Sequence, residues 1–179
     1  MKFNNQSIKM YSIIFILILG IVAVSTNYWS TNTINTIDPD TRNPAKMSGD
    51  IGLWKSCMYV NESGNTQSDC TDSSESGPDD STPNLKNIKT VRILSISSLV
   101  LIALSLYLLY AMPKQKEYFI LCLVLAGILS VISVILWNND PGLKDPSNTA
   151  KHGYSWYLEL ISGLLAVLLG GLTQFNVIA

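Results

Sequence analysis

The side chains that can do chemistry in this chain are few and far apart. Three cysteines (Cys57, Cys70 and Cys122), one histidine (His152) and 13 acidic residues make up the inventory. A nucleophile needs a proton acceptor beside it, and there is no second histidine to serve as one. No glycine-rich phosphate loop occurs, and no His/Asp/Glu cluster falls on an apolar run, so no catalytic residue and no cofactor are assigned. Two cysteines and one distant histidine do not complete a tetrahedral metal site. Two features remain. Cys57 and Cys70 stand close in sequence in a polar segment, and one acid, Glu159, lies inside an otherwise apolar run.

The elements that position these residues follow from hydropathy. Of 179 residues, 47% are hydrophobic and only 14% charged, whereas soluble domains carry roughly 25% charged residues. The apolar residues gather in four runs, 10–26, 93–112, 118–137 and 156–175, each about the length a helix needs to cross a bilayer. Runs two and three contain no charge. Hydrocarbon forces every backbone N–H and C=O to pair internally, so helices are the expected form. The net charge of −1 provides no basic footprint for nucleic acid, and none is expected as a partner. The first run has a rival reading as a cleaved signal peptide, because Lys2 and Lys9 precede it and it ends in Ala23-Val24-Ser25.

Charge sets the expected orientation. Lys2 and Lys9 before the first run, and Lys114 and Lys116 in the short turn between runs two and three, place basic residues in two very short segments. The positive-inside rule makes those segments, and with them both termini, cytoplasmic. The loops 27–92 and 138–155 then face outward. The first holds six basic and nine acidic residues, the second two of each. On that oxidising side a Cys57–Cys70 disulfide is expected, and closing the loop between them is worth on the order of 3 kcal/mol. Ile51 to Val60 nearly alternates apolar and polar residues and predicts a strand with Cys57 near its middle, so that the cysteines tie two antiparallel strands. Asn61-Glu62-Ser63 is a glycosylation sequon on the outer side, whereas Asn5-Gln6-Ser7 lies on the inner one. In run four Ser162, Ala166 and Gly170 recur every four residues, and run three offers Ala126, Gly127 and Ser130, small residues that let helices approach closely.

With these residues in place, a resemblance emerges. Trp29, then Gly52-Leu53-Trp54, then Cys57 after two further residues, then Cys70, all between runs one and two, resemble the claudin superfamily. That superfamily takes in claudins, peripheral myelin and epithelial membrane proteins, and calcium channel gamma subunits. Arg92 at the mouth of run two corresponds to the basic residue claudins carry there. Gly153-Tyr154-Ser155-Trp156-Tyr157 is similar to the aromatic start of the fourth span in the myelin-protein and gamma-subunit branches. The resemblance covers essentially the whole chain. It implies a left-handed four-transmembrane-helix bundle capped by a small antiparallel β-sheet, with the signature Trp and Leu seated at the membrane surface. The cysteine interval is longer than in most claudins, and the acidic stretch from Asp69 to Asp80 reads as an insertion. The ending Asn-Val-Ile-Ala lacks the basic tail and scaffold-binding terminus of classical claudins, which puts a standard tight-junction role in doubt.

The remaining residues each have two readings. Glu159, an acid within a span, pairs with Arg92 or else reaches interfacial water. The acidic stretch gathers cations or is a solvated loop. Cys122 is a lipidation site or a small buried hydrophobe. Trp29 and Trp54 anchor a partner or seat the chain at the interface. The function expected is that of a non-enzymatic structural or adhesion protein, multi-pass in the plasma membrane. It would act through its disulfide-braced outer loop on copies of itself or on another membrane protein. The alternatives are an auxiliary subunit of an ion channel or other membrane complex, and a structural membrane protein of a virion or organelle.

Overall fold

The computed structural model describes residues 5–37, 44–62, 65–73, 86–112, 116–143 and 151–175. Four long helices carry the apolar runs: α1 (Asn5–Ser25), α2 (Ile88–Ala111), α3 (Lys116–Asn138) and α4 (Tyr154–Gln174). All four are long and apolar enough to cross a membrane. Their outward faces are strongly apolar, with Phe15, Val100, Leu121 and Leu168 among the exposed side chains. An apolar exterior is unfavourable in water and is what lipid solvates. The helices begin earlier than the apolar runs suggest. α2 starts at Ile88 rather than 93, because hydropathy marks where lipid begins, while Lys89, Thr90 and Arg92 continue the helix above it.

Between α1 and α2 the chain forms β1 (Ser30–Ile37), β2 (Pro44–Ile51), β3 (Lys55–Glu62) and β4 (Asn65–Asp72). They pair antiparallel in the order β4-β3-β2-β1, and a two-residue strand between α3 and α4, β5 (Lys151–His152), completes the sheet on the far edge of β1. Thr31 stands opposite Lys151, and Ser30 opposite His152. The single strand expected over 51–60 is two strands. The chain turns at Gly52-Leu53-Trp54, where Gly52 N–H bonds the Lys55 carbonyl at 2.9 Å. The turn forms there because Leu53 is drawn completely out of solvent into the top of the bundle.

The interior divides into layers along the bundle. One apolar cluster, with Ile13, Ile16, Ile102, Phe119, Leu123 and Leu169, fills the half away from the sheet. A second, with Val24, Trp29, Ile51, Leu53, Ile88, Val91 and Trp137, lies where sheet meets helices. Between them buried polar residues face one another: Ser95 and Ser98 of α2, Ser130 and Ser133 of α3, and Glu159 and Ser162 of α4. α3 and α4 pack closest here, since a Cβ on Gly127 would stand 2.5 Å from the Gly163 carbonyl oxygen. Small residues at such crossings let backbones meet without a clash.

Candidate functional site

The sheet is fixed to the bundle through the end of α1. A helix terminus leaves its last four carbonyls without intrahelical partners, and in lipid these must still be satisfied. Side chains satisfy three of them here. Trp29 Nε1 donates to the Ala23 carbonyl at 2.8 Å, Trp54 Nε1 to the Val24 carbonyl at 2.8 Å, and Thr26 Oγ1 to the Val22 carbonyl at 2.9 Å. Each indole therefore fills two roles, its ring filling space and its N–H capping a helix. Trp29 is 0% exposed and packs edge-on against Trp137 at 5.2 Å between centroids. Trp137 Nε1 donates in turn to Ser30 Oγ at 2.9 Å, so α3 is tied to the first residue of β1.

Leu53 and Arg92 lock the same corner from α2. The Arg92 Nε–H donates to the Leu53 carbonyl, its Nη2 meets Asp72 Oδ1 at 3.2 Å, and its guanidinium stands 5.0 Å over the Trp54 ring. Ser73 closes the turn by donating from Oγ to the Gly52 carbonyl at 2.9 Å. Gly52 is required by proximity, because a Cβ there would lie 2.3 Å from Asn27 Cα. Gly153 is required likewise, with a Cβ falling 1.9 Å from the Tyr28 carbonyl oxygen. That contact allows Gly153 N–H to reach the Trp29 carbonyl at 3.0 Å and Ser155 N–H the Tyr28 carbonyl at 3.1 Å.

The structure thus brings Trp29, Gly52, Leu53, Trp54 and Arg92 to one place. Cys57 and Cys70 lie farther out, directly opposed on β3 and β4 and joined by a disulfide. Asn61 falls in β3 just before the β3–β4 hairpin, with its side chain outside the described residues. Of the acidic stretch, Asp69 and Asp72 lie in β4, while Glu75, Asp79 and Asp80 are outside the described residues. Cys122 is unpaired and half-buried on α3. Outside the membrane, burial raises the Asp50 carboxyl above its ordinary range; the Tyr59 phenol is raised by its own burial and then by the Asp50 charge.

Glu159 is not with this group. It is 1% exposed and bonded by Ser130, whose Oγ stands 2.9 Å from both its Oε1 and its backbone carbonyl. Neither reading taken from sequence holds for it. It does not reach the surface, and Arg92 is committed to Leu53, Asp72 and Trp54 at the sheet end of α2. Sequence reasoning also passed over Asp140, which is 1% exposed and accepts the Asn87 N–H at 2.7 Å on Oδ2, at the start of α2. A carboxylate there complements the helix dipole. Its only sequence signal was an acid followed by Pro141-Gly142 directly after an apolar run, and its partner lies 53 residues away.

Four apolar helices carrying a disulfide-bearing sheet at one end, fixed there by two indoles, define an integral multi-pass membrane protein. The chain belongs to the PMP-22/EMP/MP20/Claudin family, whose model matches residues 7–173. A search of curated proteins finds no match to the chain.

Proposed function

We propose that this claudin-like protein works as a structural and adhesive component of the plasma membrane, presenting its cap to a second copy or to an opposing membrane. Its mechanism is packing rather than turnover. The observation that supports this is the division of labour within the cap. Trp29, Leu53, Trp54 and Arg92 are consumed in seating it, whereas β3 and β4 present Met58 and residues 66–72 outward. A unit held so firmly at its base and left open at its far strands is built to hand force from an outer contact to the bundle. The disulfide keeps that outer hairpin in register. Both termini are assigned to the cytoplasm and the cap to the outside, where Asn61 accepts a glycan.

The test is expression of the full chain in cells that form no strands of their own, followed by freeze-fracture imaging and cell-aggregation assays. Strands or aggregation that vanish when β4 is replaced by a Gly/Ser segment support adhesion. Purification in mild detergent supplies the opposing outcomes. A stoichiometric channel would make the chain an auxiliary subunit, and capsid components would place it in a virion. An endoglycosidase-sensitive mass shift lost in Asn61→Gln is the expected result for the orientation.

A further inference from the structure

The corner where β3, β4 and α2 meet carries more positive charge than its own contacts use. Lys55 opens β3 and stands opposite Asp72 on β4. Asp72 is taken up by Arg92, 3.2 Å away, whose guanidinium is also held by the Leu53 carbonyl and the Trp54 ring. Lys89 lies one turn before Arg92 on α2, and Lys86 in the turn that leads into that helix. All three lysines are exposed, and none is ion-paired with a described acid. Two further acids come near. Asp140 is buried and bonded to the Asn87 N–H, and Asp50 is partly buried on β2, opposite Cys57.

The depth of these lysines points to the anion that meets them. The lipid-facing side chains of α2 begin at Ile93, which is 64% exposed, and Lys89 stands four residues earlier, about 6 Å farther along the axis. Lys55 follows Trp54, whose Nε1–H donates to the Val24 carbonyl in the last turn of α1 and whose ring lies under Arg92, so β3 starts at the same level. Lipid headgroups occupy about 5–8 Å beyond each face of the hydrocarbon core. The lysines therefore stand at the level of the phosphates, with stems that can lie along apolar surface while the ammonium groups reach out of it. We propose that this corner is a docking surface for a lipid of net negative headgroup charge in the leaflet next to the sheet, with Lys55, Lys86 and Lys89 holding its phosphate. The rest of the rim is unlike it. The ends of α1 and α3 present Ser25, Asn138 and Asn139, which carry no charge, and Lys151 stands apart at the start of α4. Each basic side chain at an anionic lipid surface contributes about a five-fold preference, so a cluster of three selects a lipid where one lysine scarcely does. The surface goes beyond the adhesive reading and requires only that the four helices span the bilayer.

The experiment is quenching of tryptophan fluorescence by lipids brominated on their acyl chains, with the full chain reconstituted in phosphatidylcholine bilayers. All four tryptophans, Trp29, Trp54, Trp137 and Trp156, lie at the sheet end, so the signal comes from the leaflet in question and not from lysines at the other end of the bundle. Brominated phosphatidylglycerol is expected to quench more strongly than brominated phosphatidylcholine at equal mole fraction, with a several-fold preference at low salt that shrinks as salt rises. Lys55→Gln, Lys86→Gln and Lys89→Gln combined should abolish the preference, whereas Lys151→Gln should keep it. An intact Cys57–Cys70 disulfide and unchanged melting in mild detergent establish that the triple variant is folded. Where it does not fold, the salt dependence of the wild type decides. Equal quenching by the two lipids in the wild type overturns the proposal, which is also the result if Glu75, Asp79 or Asp80 neutralises the lysines. A preference that survives in the triple variant overturns it too. So does a wild-type preference abolished by traces of a sulfated oligosaccharide, which would make a soluble polyanion the partner.

Discussion

The top of the bundle and its middle solve the same problem, joining four helices, with opposite materials. At the top, large aromatic rings fill the space and their N–H groups cap the exposed end of α1, with Trp29 on Ala23 and Trp54 on Val24. In the middle the helices meet through glycine and serine, and the polar groups satisfy one another. The difference follows from backbone supply. A helix end offers unpaired carbonyls, so it attracts donors that carry apolar bulk, which describes tryptophan. A helix middle has no backbone groups to spare. Contact there demands small side chains, and any hydroxyl or carboxyl placed there must find side-chain partners or a shared carbonyl.

If that contrast is right, damage at the top should be larger than damage in the middle and should spread to the sheet. Trp29→Ala removes a completely buried ring, its bond to Ala23 and its contact with Trp137. Deleting a core Trp typically costs about 3–5 kcal/mol. The variant should melt markedly earlier in mild detergent and be retained before reaching the cell surface, both measurable with a tagged chain. Gly163→Val tests the middle. A Cβ there would stand 2.9 Å from Ser130 Cβ and Oγ and 3.0 Å from the Gly127 carbonyl oxygen. Overpacking of that kind costs about 1–3 kcal/mol. Its signature should be a looser α3–α4 contact, read by cysteine cross-linking, with the Cys57–Cys70 disulfide still formed. A disulfide lost along with the bundle contact would mean that the two layers are not independent.

Legibility in the sequence follows the same division. The spans were readable because lipid imposes one crude requirement, length of apolar run, that each segment meets by itself. The cap's anchor residues were readable as a group, through the resemblance carried by Trp29, Gly52-Leu53-Trp54, Cys57 and Cys70. Their roles were not, since nothing local says that an indole at 54 will find the carbonyl of Val24. The break at Gly52-Leu53-Trp54 was hidden by an alternating pattern that continues across it, because Leu53 leaves the sheet for the bundle while keeping strand-like spacing. Glu159 stood out at once as an acid in a span. Its partner was misassigned because a serine on another helix, Ser130, carries no signal in one dimension, whereas an arginine does.

Two smaller effects sharpen the comparison from the polar side of the junction. Asp140→Asn keeps the shape and the acceptor at the start of α2 but removes the charge that faces the helix dipole. It should cost about 1 kcal/mol, and hydrogen exchange should quicken at Asn87 and its neighbours while the middle of the bundle is unchanged. Asp50→Asn should act in the other direction. Burial raises the Asp50 carboxyl, so the folded chain holds that proton more tightly than the unfolded one. The stability it contributes is therefore present in acid and is lost as pH rises through its folded value. Replacing it with Asn should flatten the dependence of cap stability on pH in the weakly acidic range and leave the neutral-pH protein slightly more stable. The Tyr59 phenol, raised first by burial and then by Asp50, should titrate somewhat earlier in the variant. A pH profile that keeps its slope in Asp50→Asn would mean that another acid on the sheet carries the dependence.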